Sequence, residues 1–462
     1  MTYPQCLEYL YNKLPVYQRI GAAAYKADLD NIVKLLAHFD NPHQKFKSIH
    51  VGGTNGKGSI SHNLASIFQE AGYKTGLYTS PHLKDFRERI RINGKMISRK
   101  QVIDFSEMYQ SLFEEIKPSF FEMTVAMAFQ YFVQQKVDIA VVEVGMGGRL
   151  DSTNVIQPLL SVISNISYDH VQFLGNTLED IAREKGGIIK TNTPVVIGET
   201  QAETTAIFTE IAQQKQAPIF FADQHIRLSH QKRHCGIMSR AELDLHSVRN
   251  ATLGRKMPFP DTEHSVGMQP RVLENFDVWK NNKLIYKKLS SPLQGFYQEK
   301  NIKTVLAACF VLGEAIIPKS AIKRGLKNCV TNTHLMGRWQ ILQKNPLCIA
   351  DTGHNEAGIQ FICQQLAQTP HNQLHFVLSM VNDKDISNIL VLLPKDAVYY
   401  FCKANIPRGL DANLLQKSAQ RFGLQGKIYA SVKEAYQAAK RAAKKDDLVF
   451  VGGSNFTVAE VI

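Results

Sequence analysis

No stretch of this sequence approaches the roughly 20 consecutive apolar residues that a membrane-crossing helix requires. Residues 1–10 lack the basic segment and apolar core of a secretory leader, so none is expected. The seven cysteines, at 6, 235, 309, 329, 348, 363 and 402, are scattered and form no CxxC pair. That dispersal argues against a disulfide framework or a zinc site and points to a reducing cytoplasm. Low-complexity tracts and short fixed-period repeats are missing too. The aromatic residues are not interleaved with the basic ones, which removes the stacking platform of a single-strand binder.

What is present is an ordinary globular composition on a chain of 462 residues, too long for one core, so two domains are expected. The formal net charge of +13 suits an acidic partner such as nucleic acid, ATP or a small polycarboxylate. Part of the excess gathers in 225–290, at His230, Lys232, Arg233, Arg240, Arg249, Arg255 and Lys256. That region is polar and reads as a solvated surface with irregular structure or a few antiparallel strands.

The first two hundred residues alternate between strand and helix patterns. Strands are expected over 46–51, 74–79, 137–144, 159–165 and 194–198, and helices over 59–71 and 119–135. VDIAVVEV, at 137–144, is a continuous β-branched run of the kind buried on both faces of a parallel sheet. A second series follows, with a helix over 296–312 and strands over 347–351, 375–379, 397–402 and 448–451. Alternation of this kind implies parallel sheets with crossover helices. The fold expected is α/β: an N-terminal phosphate-loop domain over 1–291, and a smaller C-terminal Rossmann-like domain over 292–462, divided near SSPLQG.

Gly52-Gly53-Thr54-Asn55-Gly56-Lys57-Gly58-Ser59 lies between a predicted strand and a predicted helix, where a phosphate-binding loop belongs. Glycines let successive N–H groups turn inward around an anion, and the helix start adds its positive end. Lys57 can reach the β- and γ-phosphates as a point charge. The spacing departs from G-x-x-x-x-G-K-[ST]: Gly52 precedes Gly56 by four positions, and Gly58 separates Lys57 from Ser59. Three further segments, TSPHL at 79–83, EVGMGGRLD at 143–151 and Asp169-His170, fall at carboxyl ends of predicted parallel strands, the edge where open α/β sheets bind ligands. A hydroxyl, a carboxylate and an imidazole meeting there suit magnesium, which takes few protein ligands.

GTNGKGS resembles the loop of the dihydrofolate synthase/folylpolyglutamate synthase family, a branch of the Mur ligase-like enzymes. The resemblance runs from this loop to the last strand, with 225–290 its main gap. It implies that Thr54, Asn55, Gly56, Lys57, Gly58 and Ser59 hold ATP, and that Ser80, Glu143 and His170 bind magnesium. EKGGIIK, at 184–190, is similar to the family's E-K-A-G-I, which implies that Lys185 is carbamylated and helps hold a second metal ion; Gly186 replaces the usual alanine. Ser119, Phe120, Leu150, Asp151 and Ser152 match segments lining the pterin pocket, while 19–26 occupies the family's N-terminal folate-contacting region in a divergent form. GFYQEKN, Gly337-Arg338 and DTGHNEAG at 351–358 resemble H-Q-x-x-N, P-G-R and D-G-A-H-N-P-x-G, with Tyr297, Met336 and Glu356 as departures. Asp383-Lys384-Asp385 matches the family's D-K-D. The resemblance thus gives Asn301, Arg338 and Asp351 to ATP, and His354 and Ser454 to the incoming amino acid. Lys57, Lys185, Arg338 and His354 are the expected catalytic set.

The resemblance implies a cytoplasmic, monomeric ligase of small molecules: ATP, L-glutamate, and dihydropteroate or a folate. No nucleic-acid or membrane partner is expected. A Mur-type peptide ligase would place a further domain before the loop, where only about fifty residues precede Gly52. A nucleic-acid-binding P-loop ATPase would need a loop of standard spacing and a basic face.

Overall fold

A computed structural model describes residues 1–13, 28–230, 275–382 and 386–462. The first sheet comprises β1 (Lys47–Gly52), β2 (Thr75–Tyr78), β3 (Ile90–Ile92), β4 (Lys95–Met96), β5 (Ile139–Glu143), β6 (Leu160–Ile163), β7 (Val195–Ile197) and β8 (Ile219–Phe221). Its order is β4-β3-β2-β5-β1-β6-β7-β8. Strands β2 to β8 in that order are parallel, and the β3–β4 hairpin extends one edge antiparallel. Strand β5 is buried along its whole length, because Ile139–Glu143 is covered by helices on both faces. The order reverses at β1, with β5 on one side and β6 on the other, and the crevice at such a switch point is where ligands bind.

Beyond β8, β9 (Ile226–His230), β10 (Phe276–Lys280) and β11 (Lys283–Leu289) form an antiparallel sheet, as the polar pattern of 225–290 allowed. The basic residues from Lys232 to Lys256 lie outside the described residues, as do 19–26 and Asp383-Lys384-Asp385. The last sheet has β12 (Gln340–Lys344), β13 (Leu347–Ala350), β14 (Leu374–Leu378), β15 (Val398–Phe401), β16 (Gln425–Ile428) and β17 (Leu448–Gly452), ordered β12-β13-β17-β14-β15-β16. All but β12 run parallel. The α/β class and the two parallel sheets match the expectation.

The expected division at 291/292 does not match the packing. Ile302, Val305, Leu306 and Cys309, on the helix Tyr297–Leu312, and Ile322 and Leu326, on Lys319–Lys327, join the core built on β1, β5 and β6. The final sheet has separate cores on its two faces. An amphipathic helix does not record in its own sequence which sheet it covers, so the boundary by packing falls between Thr333 and Gln340. Among the described residues, no helix is long and apolar enough to cross a membrane.

Candidate active site

A cavity of 380 Å³ lies between the carboxyl ends of the two sheets, and every residue singled out as a site residue from the sequence lines it. The phosphate loop forms one wall. Gly56 has φ of 88° and starts the helix Lys57–Glu70, whose first N–H groups receive no side-chain cap. An uncapped helix start directed into a cleft is suited to an anion. The loop is clamped by the segment after β6. Thr54 N donates to Asn165 O at 2.8 Å, Asn55 N donates to Asn165 Oδ1 at 3.1 Å, and Ser167 N donates to Thr54 Oγ1 at 3.1 Å. Lys57 folds back on its own loop, with Nζ donating to Gly53 O at 3.1 Å and Thr54 O at 3.0 Å. Those carbonyls hold the ammonium at the floor of the loop. Gln298 Nε2 donates to Ser59 Oγ at 3.2 Å and Asn301 Nδ2 donates to Gln298 Oε1 at 3.0 Å, so Asn301 is braced against the loop.

Glu143 ends β5 beside the loop, paired with Val51 across the ladder. Ser80 N donates to Glu143 Oε2 at 3.0 Å. Burial pushes this carboxyl up to about 7, against the opposing pull of Lys57 and Arg338. His170 stands in a left-handed turn at φ 51°, with Nε2 3.9 Å from Asp169 Oδ1. Among the described residues, no three His, Cys, Asp or Glu side chains cluster as a ready-made metal site. The donors on offer are the Glu143 carboxylate, the Ser80 hydroxyl and the His170 imidazole. That set fits a hard divalent ion that completes its shell with water and phosphate oxygens. A bound dication would also supply charge that the buried Glu143 lacks.

Lys185 lies on the helix Leu178–Gly186 and is only 4% exposed. Its Nζ donates to Gly53 O at 3.0 Å. Burial, reinforced by the nearby Lys57 charge, pulls its ammonium down to about 7. A large fraction of this amine is therefore neutral and nucleophilic at physiological pH.

From the second unit, Arg338 donates to Gly337 O at 3.2 Å and to Thr352 Oγ1, beside the phosphate loop. Asp351 Oδ2 accepts from Trp339 N at 2.7 Å and from Tyr297 Oη at 2.5 Å, and Oδ1 accepts from Gly353 N at 2.8 Å. His354 Nδ1 donates to Thr352 O at 3.0 Å, and its Nε2 lies 3.9 Å from Asp169 Oδ2.

On the acid side several nominated side chains have local partners. Ser119 caps the helix Phe120–Gln134 in a reciprocal box with Glu122. Phe120 packs at 5.2 Å against Tyr11 and is 4% exposed, so most of the ring is core. Asp151 accepts from Met146 N at 2.8 Å and Thr153 N at 3.0 Å, holding the turn where Leu150 and Ser152 line the cleft. Ser454 caps the helix Asn455–Ala459 through Thr457 N at 3.1 Å. Sequence reasoning missed Arg89, a 2% exposed cation whose guanidinium lies 5.2 Å over Phe120 and donates to His82 Nδ1 at 2.8 Å, on the same wall. Its signal was an arginine at the head of the alternating strand Ile90-Arg91-Ile92.

The Mur ligase middle domain matches residues 51–309, and the Mur ligase glutamate ligase domain matches 337–455. A dihydrofolate synthase/folylpolyglutamate synthase of Bacillus subtilis is 32% identical over 83% of this chain and 82% of its own length. A probable bifunctional folylpolyglutamate synthase/dihydropteroate synthase of Haloferax volcanii is 30% identical over 94% of this chain, which spans 48% of that longer protein. Among solved structures, Escherichia coli FolC in complex with DHPP and ADP superposes with a TM-score of 0.80 at 28% identity, covering 100% of this chain and 97% of that one. The bifunctional folylpolyglutamate synthase/dihydrofolate synthase of Yersinia pestis, complexed with AMPPNP and Mn ion, superposes at 0.79 with 25% identity, covering 100% and 97%.

Proposed function

The chain belongs to the Mur ligase family, in its dihydrofolate synthase/folylpolyglutamate synthase branch, and on that footing we propose that it ligates L-glutamate to dihydropteroate and to the glutamyl tail of folates at the expense of ATP. The observation that carries this reading is the meeting, in one cleft, of the phosphate loop, Glu143 and Lys185 from one unit with Arg338, Asp351 and His354 from the other. We take the enzyme to be a cytoplasmic monomer.

The acid's carboxylate attacks the γ-phosphate of ATP, and an acyl phosphate forms. The loop amides and Lys57 cradle the β- and γ-phosphates, and Arg338 reaches the transferring group from the opposite wall. Asn301, beside the loop, and Asp351, from the other unit, also contact ATP. Ser80, Glu143 and His170 would hold a divalent ion, which would supply charge to offset that of the phosphates. Lys185, whose buried amine can take up carbon dioxide with loss of a proton, would as its carbamate offer an oxygen to a second ion. The Arg89 guanidinium on the acid-side wall attracts the acidic acceptor, while Phe120, Leu150, Asp151 and Ser152 shape its pocket around the Ser119 cap. The neutral amine of L-glutamate, bound near Ser454 and His354, attacks the acyl carbon, the nitrogen gives up a proton, and the tetrahedral species collapses with departure of phosphate. Closure of the two units excludes the water that would otherwise hydrolyse the activated acid.

The test is ATP- and magnesium-dependent incorporation of labelled L-glutamate, with dihydropteroate and tetrahydrofolate in parallel. Product with both acids supports the bifunctional reading, and product with one narrows it. Incorporation with neither, despite intact ATP binding, overturns it.

A further inference from the structure

Asn355 begins the helix Glu356–Gln368 of the second unit and is 4% exposed. Its amide makes four hydrogen bonds. Oδ1 accepts from Gly358 N at 2.9 Å, which caps the helix, and from Asn55 Nδ2 at 3.3 Å. Nδ2 donates to Asn55 Oδ1 at 3.0 Å and to Asp169 Oδ2 at 3.2 Å. Two donors and two acceptor sites are all that a side-chain amide has, so this one is saturated. Its orientation is fixed by the network: the backbone N–H of Gly358 requires the oxygen on one side, and the Asp169 carboxylate requires the nitrogen on the other. Asn55 lies within the phosphate loop and Asp169 precedes His170. Capping uses one of the four bonds; the other three cross between the units.

We propose that Asn355 is a positioning residue that registers the second unit against the phosphate loop and the Asp169 turn, so that the cleft closes in the geometry that protects the acyl phosphate from water. This rests on the ligase reading above. Without the three cross-unit bonds the helix still forms, but Arg338 and His354 lose their register on the loop. Water then attacks the acyl carbon, the carbon–oxygen bond to phosphate breaks, and the acid and phosphate are released without ligation.

Serine and aspartate both cap helices, so Asn355→Ser and Asn355→Asp retain the bond to Gly358. Serine is too short to span to Asn55 and Asp169. Aspartate loses the donor and sets a carboxylate against Asp169. The measurement is phosphate released per L-glutamate incorporated, with thermal denaturation of each variant alongside. Misplacing a reacting group by about 1 Å costs on the order of 100-fold. We expect the ratio to rise roughly tenfold or more for Asn355→Ser and further for Asn355→Asp, with each variant still unfolding in one cooperative transition although its melting temperature falls. Adding Asp169→Asn to Asn355→Asp restores a donor to that contact and is expected to lower the ratio again. Asp169→Asn alone probes the same contact from the other side, and it too should raise the ratio. If both Asn355 variants and Asp169→Asn couple as tightly as wild type, Asn355 is a helix cap and nothing more. Wild type that incorporates no glutamate with either acid overturns the ligase reading instead.

Discussion

The Tyr297 hydroxyl donates to Asp351 Oδ2 at 2.5 Å and ties the first turn of a helix in one unit to a strand end in the other. Burial and the adjacent Asp351 charge hold this phenol far above its ordinary range, so it remains a donor. Asp351 also accepts from Trp339 N and Gly353 N. A carboxylate offers about four acceptor sites, and these three bonds leave one, on Oδ1, which the proposed reading gives to ATP. Tyr297→Phe removes the bond that sets the tilt of the carboxylate. A hydrogen bond to a charged group contributes about 1.5–3 kcal/mol, part of which is recovered by relaxation. The expected result is a rise of roughly three- to tenfold in KM for ATP, with kcat changed less. Steady-state kinetics with varied ATP decide it, and an unchanged KM means that Asp351 is oriented without Tyr297.

Gly56 offers a test of the loop itself. Its φ of 88° lies in the region that L side chains rarely adopt, and a Cβ there would fall 2.2 Å from Asn301 Oδ1. Gly56→Ala therefore strains the turn and drives the loop away from Asn301. Several amide–phosphate contacts depend on that turn, so affinity for a non-hydrolysable ATP analogue should fall by on the order of 100-fold. Most of the core is remote from the loop, and the melting temperature should drop by only a few degrees. Calorimetric titration and thermal denaturation separate the two effects. Retained affinity would remove Gly56 from the nucleotide site.

Most of the sheet was legible because strands such as Ile139–Glu143 are buried on both faces and leave unbroken apolar runs. The edges were not. Gln425–Ile428 is largely exposed and Lys95–Met96 wholly so, and neither carries a pattern that separates a strand from a loop. Where the packing divides was not legible, because the helices after residue 296 bury an apolar face without recording against which sheet. The site was legible where one segment carries several reactive residues in sequence, as in the phosphate loop and DTGHNEAG. Arg89 and the Asn55–Asn355 pair were not. Their meaning comes from contacts between distant segments, in the second case 300 residues apart.

Lys185 gives a prediction whose sign depends on the folded state. Its ordinary value of 10.5 falls to about 7 on folding, first through burial and then through the Lys57 charge. Between those pH values the unfolded chain holds a proton that the folded chain has released, so stability rises as pH increases from about 7 to about 10.5. Below about 7 the buried ammonium is charged and its cost is fully present. Glu143 acts in a different window: burial raises it from 4.5 to about 7, so its contribution lowers stability as pH climbs between those values. Lys185→Met should therefore abolish the gain above pH 7 and leave the decline below it untouched. The measurement is urea unfolding of the metal-free protein, purged of bicarbonate, at intervals from pH 5 to 10, with wild type and variant compared at each. A stability difference that stays flat from pH 7 to 10 would mean that Lys185 keeps its proton when folded. The amine would then lack the neutral form that carbon dioxide requires, and the proposed carbamate would lose its chemical basis.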